Sequence, residues 1–209
     1  MLSLHEFAHA FVAYKCGDPT AKFSGRMSLN PFRHFDPLGM VCFAIAGFGW
    51  AKPVPINPYN FKNYKWGSFC TSIAGVLVNY LTAFLFYPLF LLMMEYVVPV
   101  FAGKYLATFL YYLGFYLYYY SLSFCAFNLI PLYPLDGFRV VETFNKRRGK
   151  IFTFLRNYGH YILTAVILIS ILADRIPLLG YIDVLGFAMR YVIGFLEIPI
   201  TLFWGLFGL

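Results

Sequence analysis

The 209-residue chain is predicted to be an α-helical polytopic membrane protein, with about five membrane segments and a small β or re-entrant insertion on the cytoplasmic side. Three observations carry that prediction. The composition is 61% hydrophobic and only 12% charged, against about 45–50% and about 25% in soluble domains, so too few polar residues exist to dress a water-facing surface. Several apolar runs reach the roughly 20 residues needed to cross the hydrocarbon layer. Lys and Arg alternate between rich and poor connections along the chain. The same composition excludes disorder, a collagen-like fibre and a disulfide scaffold, since 4 Cys are too few to staple a chain of this length.

The first element, residues 1–16, is apolar, short and helical in pattern. No charged n-region and small-residue cleavage site precede it, which argues against a signal peptide. Residues 17–67 are not helical by pattern. Pro19, Pro31, Pro37, Pro53, Pro55 and Pro58 each push the preceding residue toward β or polyproline geometry. Lys22–Met27 and Trp50–Asn57 look extended, and the apolar patch Leu38–Trp50, too short to span, reads as strand or re-entrant structure at the cytoplasmic interface. Four longer runs follow as membrane helices, 68–101, 104–130, 151–173 and 178–209. The first and last of these exceed one crossing and contain Pro88 and Pro99, or Gly180, Gly186, Gly194 and Pro199, so tilting, kinking or splitting is expected. No internal repeat or soluble second unit is visible, and residues 1–209 read as one membrane-embedded domain.

The charges give the orientation. Lys15, Lys22, Arg26, Arg33, Lys52, Lys62 and Lys65 lie after the first helix, and Arg139, Lys146, Arg147, Arg148, Lys150 and Arg156 lie together between later spans. Lys104 and Arg175 stand alone in the other connections. The positive-inside rule puts the rich connections in the cytoplasm, which turns the net charge of +7 into a topology signal. Anionic headgroups, not nucleic acid, are the partners of such loops.

His5-Glu6-Phe7-Ala8-His9 is an HExxH sequence in an apolar helix. Residues four apart share a helix face, so both imidazoles can reach one zinc ion, and Glu6 stands beside them to take a proton from a water at that ion. An ionisable residue within a membrane costs on the order of 2.5–3.5 kcal/mol, so three in five residues need a compensating partner. A catalytic zinc takes a third protein ligand. His34, read as a polar residue of the cytoplasmic loop segment, and His160 are the remaining histidines, and most remaining carboxylates sit in connections or beside basic residues. Asp136 differs: it closes Asn128-Leu-Ile-Pro-Leu-Tyr-Pro-Leu-Asp136-Gly137, where Pro131 and Pro134 break a span at its cytoplasmic end. The two histidines lie about 9–15 Å from the cytoplasmic end of the first helix, on the side where Asp136 emerges. Zn²⁺ with two neutral histidines, ionised Asp136 and ionised Glu6 is a neutral cluster, which a low-dielectric site tolerates.

HEFAH on one membrane helix and NLIPLYPLDG at the end of a later one resemble the site-2 protease family of intramembrane zinc metalloproteases. Gly47–Pro58 (GFGWAKPVPINP) is similar to its compact prokaryotic members without a PDZ domain. The resemblance covers most of residues 1–137. It implies one Zn²⁺ on His5, His9 and Asp136, Glu6 as general base and acid, and Asn128 as holder of the substrate carbonyl or its oxyanion. Gly75 and Asn79, in Ser72–Asn79, match a third family element with a substrate-binding or packing role, although Val76 stands where Pro is common. Members generally carry a membrane helix ahead of the HExxH helix, so either such a helix precedes residue 1 in a longer chain or the first helix has an exposed side.

The expected reaction is hydrolysis of a peptide bond within or next to a transmembrane segment of a protein substrate, as in regulated intramembrane proteolysis. The expected setting is a prokaryotic cytoplasmic membrane, with the site toward the cytoplasm. Lys22–Met27 or Ala51–Asn57 is the expected edge for holding an unwound substrate by strand addition. The tyrosines from Tyr111 to Tyr120 read as packing or lipid-facing surface, and Cys16, Cys42, Cys70 and Cys125 as free thiols. The competing functions are a metal transporter using the same ligands and a pseudoprotease that binds membrane helices without cutting; the sequence is compatible with an oligomer and does not fix its state.

Overall fold

A computed structural model describes residues 1–47, 49–100, 105–145, 147–173 and 175–208. The expected boundaries at Phe101 and Lys104, the basic marker Lys146 and the carboxylate Asp174 lie outside the described residues. Seven helices organise the rest: α1 (Leu2–Cys16), α2 (Pro37–Ala46), α3 (Tyr64–Leu92), α4 (Tyr105–Leu129), α5 (Asp136–Phe144), α6 (Lys150–Ala173) and α7 (Val184–Gly205). Helix α3 is the axis of the molecule, packed against α1, α4 and α5.

The expected β insertion is not found. Among the described residues the only pairing of this kind is one isolated antiparallel bridge, Phe35 with Ala51. Lys22–Met27, expected to be extended, lies partly in the helical turn Thr20–Phe23 and then bends through Gly25. Leu38–Trp50 is mostly α2, started by the Asp36 carboxylate accepting from the Gly39 N–H at 2.9 Å, with Pro37 in the first turn. The reason lies in the prolines: each deletes a ladder donor, so residues 17–63 satisfy their backbone through turns and side chains instead. Ala21 and Val54 from this segment pack on Ala10 of α1. Ala51–Asn57 carries no helix and pairs only at Ala51.

Asp18 ties this segment together. Helix α1 ends in a left-handed Gly17 (φ 113°), with the Gly17 N–H donating to the Tyr14 carbonyl and the Asp18 N–H to that of Ala13. The fully buried Asp18 carboxylate accepts from the Thr20 N–H (3.1 Å), the Asn57 N–H (2.7 Å), Asn60 Nδ2 (2.8 Å) and the Thr20 hydroxyl. Burial pushes its pKa up, but the donors outweigh burial and hold it below the ordinary value. A depressed pKa adds stability that is present above the unfolded value of about 3.9 and is lost as pH falls through the folded value. Asp18→Ala strands the donors and is expected to cost about 1–3 kcal/mol, seen as a lower Tm at neutral pH and faster proteolysis near residues 50–62. The Tm difference between variant and wild type should shrink as the buffer is acidified.

Tyr64–Tyr96, Lys150–Ala173 and Val184–Gly205 are long and apolar enough to cross a membrane. Their outward residues, such as Leu85, Phe195 and Leu202, are about two-thirds exposed or more, which suits lipid and not water. Helix α4 has the length to span, but its many tyrosines lower its hydropathy. Of the tilting, kinking or splitting expected near Pro88, splitting is not seen there, since α3 runs on through it to Leu92. Pro88 leaves the Phe84 carbonyl without its intrahelical donor, and Trp204 Nε1–H of α7 donates to that oxygen at 2.9 Å. Helix α7 is further held by Tyr80 Oη–H on the Leu196 carbonyl (3.2 Å) and by Tyr118 Oη–H on Glu197 (2.6 Å), over a core of Ala83, Leu122 and Ile200. Residues 178–209 are split as expected, with the turn Pro177–Gly180 ahead of α7.

Candidate metal centre

Three helices bring the chemistry to one point. Helix α1 supplies His5 and His9, both buried, on the face turned toward α3. Pro131 and Pro134 end α4 and turn the chain, so that α5 begins at Asp136, which is 6% exposed. His5 Nε2 lies 3.0 Å from His9 Nε2, and Asp136 Oδ2 lies 3.2 Å from the first and 2.9 Å from the second. A tetrahedral zinc with bonds near 2.0–2.1 Å separates its ligand atoms by about 3.3 Å, so the triangle is within a few tenths of an ångström of that size. His5, His9 and Asp136 are the group among the described residues whose ligand atoms are close enough to share an ion.

The donor set fits zinc chemically as well as geometrically. Asp136 Oδ2 is buried, and the two imidazole Nε2 atoms face it. Two imidazoles and one carboxylate, with further positions open, make the ligand pattern of a catalytic zinc and not that of a closed structural one.

One face of α3 backs the cluster. Thr71, Gly75 and Asn79 follow at four-residue spacing, and α3 runs antiparallel to α1. Thr71 therefore meets His9, and Asn79 meets His5. The Thr71 carbonyl lies 2.6 Å from His9 Nδ1, and the Asn79 amide lies 3.0 Å from His5 Nδ1. Asn79 is fully buried, and its Oδ1 has no partner. Between them, a Cβ on Gly75 would stand 2.5 Å from His5 Cε1 and His9 Nε2 and 2.6 Å from His5 Nε2. Glycine is there because the imidazoles occupy the space of a side chain.

The structure thus brings five of the seven residues singled out from sequence into direct contact: His5, His9, Asp136, Gly75 and Asn79. Glu6, half-buried, is on α1 between the histidines. Asn128 lies in the last turn of α4, where its Nδ2 donates to the Phe124 carbonyl at 3.1 Å. His34 is buried in the loop segment on the Ser28 carbonyl, and His160 is exposed on α6. Thr71 was missed because it contributes a backbone oxygen, which leaves no mark on residue type. Four-residue spacing from Gly75 was the one available signal.

The peptidase family M50 profile matches residues 1–171. YwhC of Bacillus subtilis, named as a zinc metalloprotease, is 43% identical over 146 residues, covering 67% of this chain and 63% of YwhC. Rip2 of Mycobacterium tuberculosis, also named as a zinc metalloprotease, is 29% identical over 148 residues, covering 68% of this chain and 52% of Rip2. The Rip2 of Mycolicibacterium smegmatis is 26% identical over 180 residues, with 83% and 65% covered. The chain spans less than two thirds of the length of these relatives. No solved structure matches it. With the ligand triangle on α1 and α5 inside the matched region, the chain belongs to peptidase family M50, the site-2 protease family.

Proposed function

We propose that this protein is an intramembrane zinc metalloprotease that hydrolyses a peptide bond within or next to a transmembrane segment of a protein substrate. The observation that carries the reading is the buried His5–His9–Asp136 triangle beside Glu6, set among membrane-crossing helices. In this reading α1, α3, α4, α6 and α7 are the five membrane segments, the basic connections face the cytoplasm, and the site opens toward that side.

His5, His9 and Asp136 would hold the zinc. When bound, it supplies a Lewis acid that polarises the scissile carbonyl and acidifies a water. Glu6 takes the proton of the attacking water and returns it to the departing amine, so one group serves as base and then as acid. Asn128 spends one of its two amide hydrogens on Phe124 and keeps the other for the substrate oxygen. Backbone carbonyls of a helical substrate are locked in its own hydrogen bonds, so the cleaved stretch must unwind before attack.

The α3 face fixes the tautomers. An imidazole that ligates through Nε2 carries its proton on Nδ1 and must donate it. His9 donates to Thr71. His5 donates to Asn79 when the amide oxygen faces it, an orientation that also gives the orphaned Oδ1 its partner. Asn79→Leu is therefore expected to weaken zinc binding by about 10–100-fold in chelator competition, and Asn79→Asp, which keeps the acceptor, to restore most of it.

The direct test of the function is metal analysis and product mass spectrometry on the purified wild type. One zinc per chain and a cut inside or beside the apolar segment of a model substrate are expected. Wild-type protein that binds no zinc and cuts nothing would overturn the reading.

A further inference from the structure

Beside the ligand triangle lies a cavity of about 220 Å³ that the chemistry above does not use. Its walls are aliphatic: Ile73 and Val76 of α3, Leu129 at the end of α4, and Val140 and Val141 of α5. Its one charged wall is Asp136, the same carboxylate that faces both imidazoles. The cavity therefore borders the place where a carbonyl is attacked. An apolar protein cavity of about 150 Å³ already accepts a benzene molecule. This space takes one side chain up to the size of Leu or Phe, and not a helix.

The lining decides what kind of side chain. Burying a charged group without a partner costs several kcal/mol, and the one carboxylate on the wall, Asp136, already faces both imidazoles. A Lys, Asp or Glu side chain would find no counter-charge there. An aliphatic or phenyl group would gain about 25 cal/mol for each Å² it removes from contact with water. The walls come from α5, which carries Asp136, from α3, which backs the triangle, and from the end of α4, so the pocket is held in place beside the reacting atoms.

We propose that this cavity is the specificity pocket for one substrate residue flanking the scissile bond, and that it selects a single medium-sized apolar side chain, Leu-like in bulk. The proposal rests on the proteolytic reading and adds the substrate class to it. Val140 lines the pocket: a larger residue there reduces its volume and a smaller one enlarges it.

The test uses the full chain in detergent or proteoliposomes, with a set of single-span transmembrane peptides. The residues on either side of the cut, mapped by mass spectrometry, are varied among Ala, Leu, Phe, Lys and Asp. Wild type is expected to favour Leu over Lys or Asp at one of the two positions by at least about tenfold in kcat/KM, the scale on which apolar pockets discriminate. Val140→Phe should keep its zinc and move the preference from Leu to Ala by about tenfold or more. Val140→Ala should move it from Leu to Phe, which keeps the idea testable if the larger residue disturbs folding. Wild-type cleavage indifferent to both flanking residues, or Val140 variants that cut with unchanged preference, would overturn the pocket while leaving the protease standing. Loss of zinc and cleavage in the wild type would instead sink the reading beneath it.

Discussion

Glu6→Gln is expected to bind one zinc per chain as wild type does and to lose about 10²–10⁴-fold in kcat, the usual contribution of a positioned acid–base group. The two halves of that outcome come from separate features of the structure. The atoms that would hold the zinc belong to His5, His9 and Asp136, so none of them changes when an oxygen of Glu6 becomes an NH₂. The volume and polarity of Gln also leave α1 packed as before. What disappears is the only carboxylate that shares α1 with the histidines and can carry a proton from water to the leaving nitrogen. Measuring zinc by mass spectrometry and turnover on the same preparation separates the possibilities. A metal transporter would keep its transport rate in this variant, because transit needs the ligands and not the base. Loss of zinc together with activity would mean that Glu6 is a structural or ligating group and that the proposed mechanism is wrong.

The legible and illegible parts of this molecule divide by physical range. HExxH spacing needs only helix geometry, and it placed His5 and His9 on one face. The proline break placed Asp136 at the end of a span, because helix termination is local. The 17–67 segment went wrong because extended propensity was read from prolines that in fact remove the donors a sheet needs. The structure answers with α2, short turns and the Asp18 clasp, whose partners Asn57 and Asn60 are about 40 residues away. That α3 is not split at Pro88 was illegible for a related reason, since the Trp204 donor to the Phe84 carbonyl lies 120 residues away. The cavity beside Asp136 was illegible too: Ile73, Val76 and Val140 look like ordinary apolar helix residues until three helices are packed.

Gly75→Ala is the smallest change with a large expected effect. By helix propensity alone it should help, since Ala is better than Gly in a helix interior by about 1 kcal/mol. The close approach of α1 decides otherwise. The new methyl would stand about 2.5 Å from His5 Cε1 and His9 Nε2, roughly an ångström inside van der Waals contact. The imidazoles cannot both retreat: Nδ1 of His9 is held at Thr71 and Nδ1 of His5 at Asn79. Either α1 moves away from α3 or the rings rotate off those partners, and each response spreads the Nε2–Nε2–Oδ2 triangle. A displacement of this size is expected to cost about 100-fold in turnover and to weaken zinc by at least the 10–100-fold seen when a ligand loses its supporting hydrogen bond. The discriminating measurement is thermal unfolding with and without chelator. Gly75→Ala should lose the zinc-dependent part of its Tm, because the clash falls on the ligand imidazoles and spreads the triangle. Zinc affinity equal to wild type would show that the imidazoles do not fill the space over Gly75, and the packing of α1 on α3 described above would have to be redrawn.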